Sequence, residues 1–199
     1  MDDELLQLFE TRKGHFRFES GHHGDLWLTI PLAFLRPGLV RPHAQRLARM
    51  LAVHRIDAIC GPLAEGALLA QMMAEELDVE FYFAEQFARS GKHALFPVGY
   101  RIPAALRSRI SGKRVAVVDD AINAGSALRG AIEDLKTCGA QLVAIGALLR
   151  VGDRAVDLAR AEAVPLATLT RLESDNLWSP ARCPLCRAGK PLDDQSGNQ

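Results

Sequence analysis

Residues 114–129 read Arg114-Val-Ala-Val-Val-Asp119-Asp120-Ala-Ile-Asn123-Ala-Gly125-Ser126-Ala-Leu-Arg129. The four apolar residues after Arg114 are mostly β-branched, which predicts a buried strand. Two aspartates stand where that strand should end, and a short loop with one glycine follows. Ser126 can cap a helix, because apolar residues recur behind it at helical spacing. The inward positions of that helix are Leu128, Ala131, Ile132 and Leu135.

The turn between this strand and this helix has the features of a phosphate site. Free backbone N–H groups and the positive end of the helix dipole would face an anion bound there. The carboxylates of Asp119 and Asp120 would repel a phosphate, but they suit hydroxyl groups or a divalent cation beside it. A ribose 5-phosphate has both parts, a diol and a phosphate. The alternative is a plain strand–helix turn with two solvated aspartates.

Composition limits the class of protein. The chain has 199 residues, of which 48% are hydrophobic and 24% charged, and this is enough for one sizeable core. Its formal net charge of +0 favours neither nucleic acid nor an acidic membrane. The acidic N-terminus lacks the features of a signal peptide, and the apolar runs are short. Two of the four cysteines, Cys60 and Cys138, fall in predicted core elements, which argues against a secreted disulfide framework. We therefore expect a cytoplasmic protein that binds no nucleic acid and no membrane.

Short strands alternate with helices along most of the chain. This alternation predicts an α/β fold with a mostly parallel sheet and right-handed crossovers. Ligands of such sheets bind outside the carboxyl ends of the strands, so Gly61–Gly66 and Asp119–Ala127 could face one pocket. The predicted elements are a helix over 3–13, a hairpin over 14–30, a helix over 41–53, a strand over 56–60, a helix over 65–77, a strand over 79–84 and a second strand–helix–strand unit over 115–149.

We expect a single domain in three parts. Residues 1–35 form an N-terminal segment, 36–160 an α/β core, and 161–199 a C-terminal extension whose end is disordered. Residues 86–103 have no clear periodicity, and a long loop of this kind is usually functional or disordered. A cluster of cations in it consists of Arg89, Lys92 and His93.

The acid pair and its loop resemble the signature of the type I phosphoribosyltransferases, which bind 5-phosphoribosyl 1-diphosphate (PRPP). Within that family the chain is similar to the orotate phosphoribosyltransferases from about residue 14 to residue 149. The matching motifs are Gly14-His-Phe, Ser20-Gly21, Gly61-Pro62 with Gly66, Phe83-Ala84-Glu85 and Gly146-Ala-Leu-Leu-Arg150.

The resemblance implies a fold and a reaction. The fold is a five-stranded parallel core with a small hood made by the N-terminal segment. The reaction is transfer of phosphoribosyl from PRPP to orotate with Mg²⁺, which gives orotidine 5′-monophosphate and diphosphate in pyrimidine nucleotide biosynthesis. A homodimer is also implied, because the lid of these enzymes reaches across a subunit interface.

The resemblance also implies site residues. Asp119 and Asp120 would hold the ribose hydroxyls, and Mg²⁺ through PRPP. The PRPP-binding stretch is Asp119, Asp120, Ala121, Ile122, Asn123, Ala124, Gly125, Ser126 and Ala127. The base would contact Asn123, Arg150, Trp27 and Leu28. Catalytic lid residues would be Arg89, Lys92 and His93.

Simpler interpretations exist for several of these residues. Arg150 suits a carboxylate, because a guanidinium pairs with it bidentately, but it also fits an ordinary arginine at a strand end. Trp27 and Leu28 fit simple packing as well as base contact. The cations of the lid fit a solvated loop.

Four departures from the family pattern remove positive charge where the diphosphate should lie. Glu19 stands where many relatives have lysine, and Glu65 stands where many have lysine or glycine. Gln86 replaces an arginine. Phe96-Pro97-Val98 precedes Gly99-Tyr100 where shorter members carry two arginines. These changes keep two alternatives open: a phosphoribosyltransferase for another base, and a non-catalytic PRPP-binding regulator. The second lacks support, because the segment before Gly14 is too short for a helix-turn-helix.

Cys183-Pro-Leu-Cys186 allows two interpretations. Zinc needs about four ligands, and no second cysteine pair is evident, so an inert turn of the tail competes with a metal site shared between subunits. His22 and His23 are adjacent, and adjacent side chains of a strand point to opposite faces. We therefore interpret them as polar turn residues and not as two ligands of one metal.

Overall fold

The computed structural model describes residues 3–88, 98–173 and 177–194. The strands are β1 Glu10–Arg17, β2 His23–Thr29, β3 Ala58–Pro62, β4 Glu80–Ala88, β5 Val98–Arg101, β6 Arg114–Ile122, β7 Gln141–Val151, β8 Leu166–Leu172, β9 Leu177–Trp178 and β10 Asp193–Asp194. The helices are α1 Asp3–Leu6, α2 Pro31–Phe34, α3 Pro37–Ala52, α4 Glu65–Leu77, α5 Ala104–Ile110, α6 Ser126–Thr137, α7 Arg154–Ala161 and α8 Pro184–Arg187.

The central sheet has the strand order β5-β4-β3-β6-β7-β8. Strands β4, β3, β6, β7 and β8 run parallel, and β5 pairs with β4 in the antiparallel sense. This confirms the α/β class and the five-stranded parallel core. Strand β8 begins at Leu166, so the core sheet continues into the segment that the sequence assigned to the C-terminal extension.

Both faces of the sheet are covered, which explains the continuous apolar run of β6. Val115 and Val117 pack with α6 and α7 on one face, and Ala116 and Val118 pack with α3 and α4 on the other. A strand alternates its side chains between two faces, so one buried on both sides must be apolar at every position. The four inward residues expected for α6 are all buried.

A second sheet, the hood, has the order β10-β1-β2-β9. Strands β1 and β2 form the expected antiparallel hairpin, with a register shift between Lys13 and Phe16. The C-terminal segment supplies both outer strands: His23 of β2 pairs with Trp178, and Phe16 of β1 pairs with Asp193. The hood is therefore built from both ends of the chain and not from the N-terminal segment alone.

Two helices differ from the sequence prediction. The first helix ends at Leu6 and not near residue 13, because residues from Glu10 onward pair with β2. Helix α3 begins at Pro37 and not near residue 41, because the fixed φ of proline suits a first helical position, and it contains Pro42. Among the described residues, the helices are too short or too polar to cross a bilayer.

The signature segment also differs in detail. Asp119 and Asp120 lie inside β6, because β7 is long enough to keep pairing as far as Ile122 opposite Arg150. Ser126 is the first residue of α6 and not its cap. Gly125 takes the cap position with a φ of 73°, a left-handed conformation that suits glycine.

Candidate active site

The acid pair lies near the carboxyl end of β6, in the middle of the central sheet. Asp119 and Asp120 are only 9% and 7% exposed. A carboxylate oxygen of Asp119 accepts a hydrogen bond from the backbone N–H of Asp120 at 3.2 Å. The sheet thus holds two adjacent carboxyl groups out of bulk water at the edge where ligands of parallel sheets bind.

The loop after β3 is packed against the acid pair. A Cβ at Gly66 would lie 2.5 Å from Oδ1 of Asp119, and a Cβ at Gly61 would lie 2.0 Å from the carbonyl oxygen of Gly66. The contact at Gly61 is with backbone, so that position requires glycine, whereas a side chain at Gly66 would have to displace the Asp119 carboxylate. The beginning of α4 and the end of β6 therefore face one site, as the sequence predicted.

The site concentrates negative charge. Burial, followed by repulsion from Asp120, raises the pKa of the Asp119 carboxyl group well above its usual value. Burial raises the pKa of Asp120 to about 6, and the nearby charge of Glu65 adds to this effect. Glu19 acts on Asp119 in the same direction. Such a cluster is matched to hydroxyl donors and cations, and it disfavours a bare anion on the same spot.

The phosphate cradle lies directly beyond the acids. Ile122 is buried in the core, while Asn123, Gly125 and Ser126 are half-buried. The first N–H groups of a helix have no partner within that helix, so those at the start of α6 are available to a ligand. The strand–acid pair–loop–helix order that the sequence predicts is thus present in three dimensions.

A cleft of about 360 Å³ opens beside this loop, at the carboxyl end of β7. Its volume suits a small ring compound. The lining residues are Asn123, Val151, Gly152, Asp153, Arg154, Asp157 and Leu177. The family resemblance implies that Asn123 contacts the base. It does not point to Arg154, whose sole signal in the sequence is its position just after a strand of the parallel sheet.

Arg150 is held by its own turn. Its guanidinium donates to the carbonyl oxygen of Gly152 at 2.5 Å and to a carboxylate oxygen of Asp153 at 2.7 Å. The hydrogen bond from Arg150 lowers the pKa of Asp153. A contact between Arg150 and a substrate carboxylate stays a prediction, and it requires this pair to open.

Trp27 and Leu28 both have packing partners. The Trp27 ring stacks on Phe18 with centroids 5.9 Å apart and lies 5.8 Å from Phe16. Leu28 packs against the core cluster that contains α3 and α4. These contacts account for the two residues by packing, and their contact with a base stays a prediction.

Glu19 and Gln86, two residues that depart from the family pattern, are hydrogen-bonded to each other. Gln86 donates to a carboxylate oxygen of Glu19 at 3.0 Å, and the Tyr100 hydroxyl donates to the other oxygen at 2.9 Å. Burial raises the pKa of Glu19, and the hydrogen bond from Tyr100 opposes that rise. The pair ties the hood turn to β4 and β5, so Glu19 has a structural partner on the core.

The expected lid residues Arg89, Lys92 and His93 lie outside the described residues, as do Phe96 and Pro97. Their assignment rests on the sequence alone. Strand β4 is described as far as Ala88, and β5 begins at Val98.

Comparison with known proteins agrees with this geometry. The family model described as "Phosphoribosyl transferase domain" matches residues 41–183. The chain is 28% identical over 194 residues to an orotate phosphoribosyltransferase of Caldanaerobacter subterraneus subsp. tengcongensis, with 96% of this chain and 94% of that protein covered. It is 28% identical over 181 residues to the Thermotoga maritima enzyme of the same name, with 91% and 89% covered.

Solved structures share the fold at low identity. An adenine phosphoribosyltransferase from Thermoanaerobacter pseudethanolicus superposes with a TM-score of 0.67 at 16% identity, over 86% of this chain and 100% of that one. An orotate phosphoribosyltransferase from Aeropyrum pernix gives 0.62 at 18% identity, over 85% and 92%. With the family model matching most of its length, this chain belongs to the phosphoribosyltransferase family, in its type I branch.

Proposed function

We propose that this protein is an orotate phosphoribosyltransferase. It moves the phosphoribosyl group of PRPP to a ring nitrogen of orotate and releases diphosphate. The observation that carries the proposal is the buried acid pair of β6 in contact with Gly66 and followed by the α6 cradle. Relatives named for this reaction cover more than nine-tenths of the chain.

Different residues of the site bind different groups of PRPP. Asp119 and Asp120 accept hydrogen bonds from the ribose 2′ and 3′ hydroxyls. The backbone N–H groups of 123–127 bind the 5′-phosphate, and Gly125 lets the chain turn closely around it. During transfer, the bond between C1 of the ribose and diphosphate breaks as the bond to the ring nitrogen forms. Fixing both ends of the sugar holds C1 in line for this exchange.

The donor set also fits Mg²⁺. Carboxylate oxygens are the ligands that this cation prefers, and here the charges of Glu19 and Glu65 act on the acid pair. Asp119 and Asp120 would hold Mg²⁺ through PRPP, and the bound cation supplies charge neutralisation for the departing diphosphate.

The 360 Å³ cleft is the proposed base site. Asn123 links it to the phosphate loop, and a guanidinium is the natural partner of the orotate carboxylate. Arg154 lines the cleft, whereas Arg150 is bonded within the turn. We therefore expect Arg154 to contact the carboxylate, with Arg150 as the alternative that family resemblance implies.

A lid and a homodimer complete the proposal. Arg89, Lys92 and His93 would close over the diphosphate and offset the charges of Glu19 and Glu65. Closure matters most in the transition state, so Lys92→Ala should lower kcat far more than it weakens PRPP binding. Mixing this variant with an Asp119→Asn/Asp120→Asn partner should restore activity in a shared-site dimer. Full activity of Lys92→Ala, or a monomer in light scattering, would contradict this arrangement.

The function is tested with purified protein, PRPP and Mg²⁺ against a panel of bases, with diphosphate release as the signal. The proposal expects turnover with orotate. Turnover with a different base, and none with orotate, would identify that base as the acceptor. PRPP binding without turnover on any base would indicate a regulator.

A further inference from the structure

Four side chains that the reaction does not use meet at the hood. They are His15 of β1, His23 of β2, and Cys183 and Cys186 of the C-terminal segment. Their ligand atoms all lie within 4.8 Å of one another. His15, His23 and Cys183 are buried, and Cys186 is exposed. Residues up to 171 positions apart thus form one compact set of two nitrogens and two sulfurs.

Four of the six distances among these atoms are close to the edges of a tetrahedron around one metal ion, and the other two are within 4.8 Å. Nε2 of His15 lies 3.2 Å from Nδ1 of His23, 3.4 Å from the sulfur of Cys183 and 3.6 Å from that of Cys186. Nδ1 of His23 lies 3.2 Å from the sulfur of Cys186. A zinc ion bound by two histidines and two cysteines separates its ligands by about 3.3–3.8 Å, from the usual metal–ligand lengths and tetrahedral angles.

The backbone aims His15 into this cluster. The register shift of β1 between Lys13 and Phe16 places one extra residue on that strand, which is the pattern of a β-bulge. Consecutive residues His15 and Phe16 can therefore both be buried. The neighbouring His22 does not join the cluster, because its ring bonds the Ser20 hydroxyl at 3.2 Å. As expected, His22 and His23 do not share this cluster, but His23 lies in β2 and is not a turn residue.

The tautomer of His15 is also fixed. Its Nδ1 lies 3.0 Å from the carbonyl oxygen of Lys190, so this nitrogen must carry the proton and donate it. The lone pair of Nε2 then faces three polar atoms at once, although it can accept only one good hydrogen bond. A histidine held by a carbonyl on its other nitrogen is the usual arrangement of a metal ligand.

We propose that His15, His23, Cys183 and Cys186 bind a structural Zn²⁺ ion. All four positions are filled by protein atoms, which is typical of structural and not of catalytic zinc. Both cysteines are free of disulfides. The ion would fasten the C-terminal segment to the β1–β2 hairpin, at a point of the segment that lies between β9 and β10. Strands β9 and β10 have only two residues each and cannot anchor the segment alone. The second pair of ligands, which no cysteine spacing in the sequence indicates, is His15 and His23.

The test is the metal content of the purified full-length protein, measured by plasma mass spectrometry. We expect about one zinc per chain. Cys183→Ser, Cys186→Ser and His23→Gln should each lose most of it. His22→Gln and Cys138→Ser are matched controls, a neighbouring histidine and a cysteine outside the cluster, and both should keep it.

A second measurement needs no variant. The wild-type chain, stripped of metal and loaded with Co²⁺, should show the intense visible absorption of a tetrahedral site and a thiolate-to-cobalt charge-transfer band. The proposal is overturned if the wild-type protein binds neither Zn²⁺ nor Co²⁺ stoichiometrically. It is also overturned if Cys183→Ser, Cys186→Ser and His23→Gln all keep the metal, or if Cys183 and Cys186 form a disulfide in the native protein, seen as a mass lower by two hydrogens.

Discussion

The acid pair and the hood cluster are both compact groups of polar side chains, but they affect the folded state in opposite ways. Asp119 and Asp120 are carboxyl groups forced together in a buried place, and their raised pKa values show that charging them is unfavourable. The hood cluster offers imidazoles and thiols close enough together to hold one metal ion. The first is a binding site held ready at a cost in stability, whereas the second joins two ends of the chain.

Gly66→Ala should displace the acid pair without changing its charge. The new Cβ would lie 2.5 Å from the Asp119 carboxylate, so the acid or the start of α4 must shift. A misplacement near 1 Å costs about a hundredfold in catalysis. We expect a loss of that order in kcat/KM, with zinc content unchanged.

Gly38→Ala is the matched control, because a Cβ there meets nothing within 4 Å. It should leave kcat/KM unchanged. Wild-type activity in Gly66→Ala would contradict the close packing of the two loops.

Arg154→Ala tests the proposed base site. A charged hydrogen-bonded pair is worth about 1.5–3 kcal/mol, so the KM for orotate should rise roughly tenfold to a hundredfold while that for PRPP stays near wild type. Steady-state kinetics with each substrate varied measures both constants.

Arg150→Ala is the companion variant. A selective rise of the orotate KM in Arg150→Ala, with Arg154→Ala near wild type, would assign the carboxylate contact to Arg150. It would also mean that the bonds from Arg150 to Gly152 and Asp153 open on binding.

The smallest expected effect is on thermal stability as a function of pH. A carboxyl group whose pKa is raised by folding supports the folded state at low pH, and this support is lost as pH rises through the folded pKa, about 6 for Asp120. Asp119→Asn/Asp120→Asn should therefore melt higher than the wild-type protein at pH 7, by about 2–4 °C for each kcal/mol of charging cost.

That difference should shrink as the pH falls towards 4, in buffer without Mg²⁺ or PRPP. Cys183→Ser provides the contrast, since at pH 7 it should melt lower than the wild-type protein because it has lost the zinc. A double aspartate variant that is less stable than wild type at pH 7 would contradict the interpretation of the acid pair.

The sequence predicted the acid-pair site because its parts are local. Asp119, Asp120 and Gly125 stand within one strand–turn–helix unit, and parallel topology brings Gly61 and Gly66 to the same edge. The hood cluster was not predictable, since no spacing rule relates His15 to Cys183. For the same reason, no local pattern indicated that β9 and β10 close the hood, or that Gln86 and Glu19 are hydrogen-bonded to each other.

Local detail failed where neighbouring elements decided it. Ser126 was the better cap by residue type, but the loop needs a left-handed residue before α6, and Gly125 supplies it. The acids fall inside β6 because β7 continues to pair beyond them. Cap chemistry and strand ends depend on these partners, which the sequence of one element does not contain.

Titration calorimetry with PRPP and Mg²⁺ tests whether the acid pair of β6 binds PRPP. The wild-type protein should bind PRPP, and Asp119→Asn/Asp120→Asn should show no measurable binding while circular dichroism reports an intact fold. Asp78→Asn, at the far end of α4 in a left-handed position that asparagine tolerates, should bind as wild type does. Unchanged PRPP affinity in the double aspartate variant would contradict the assignment of this site.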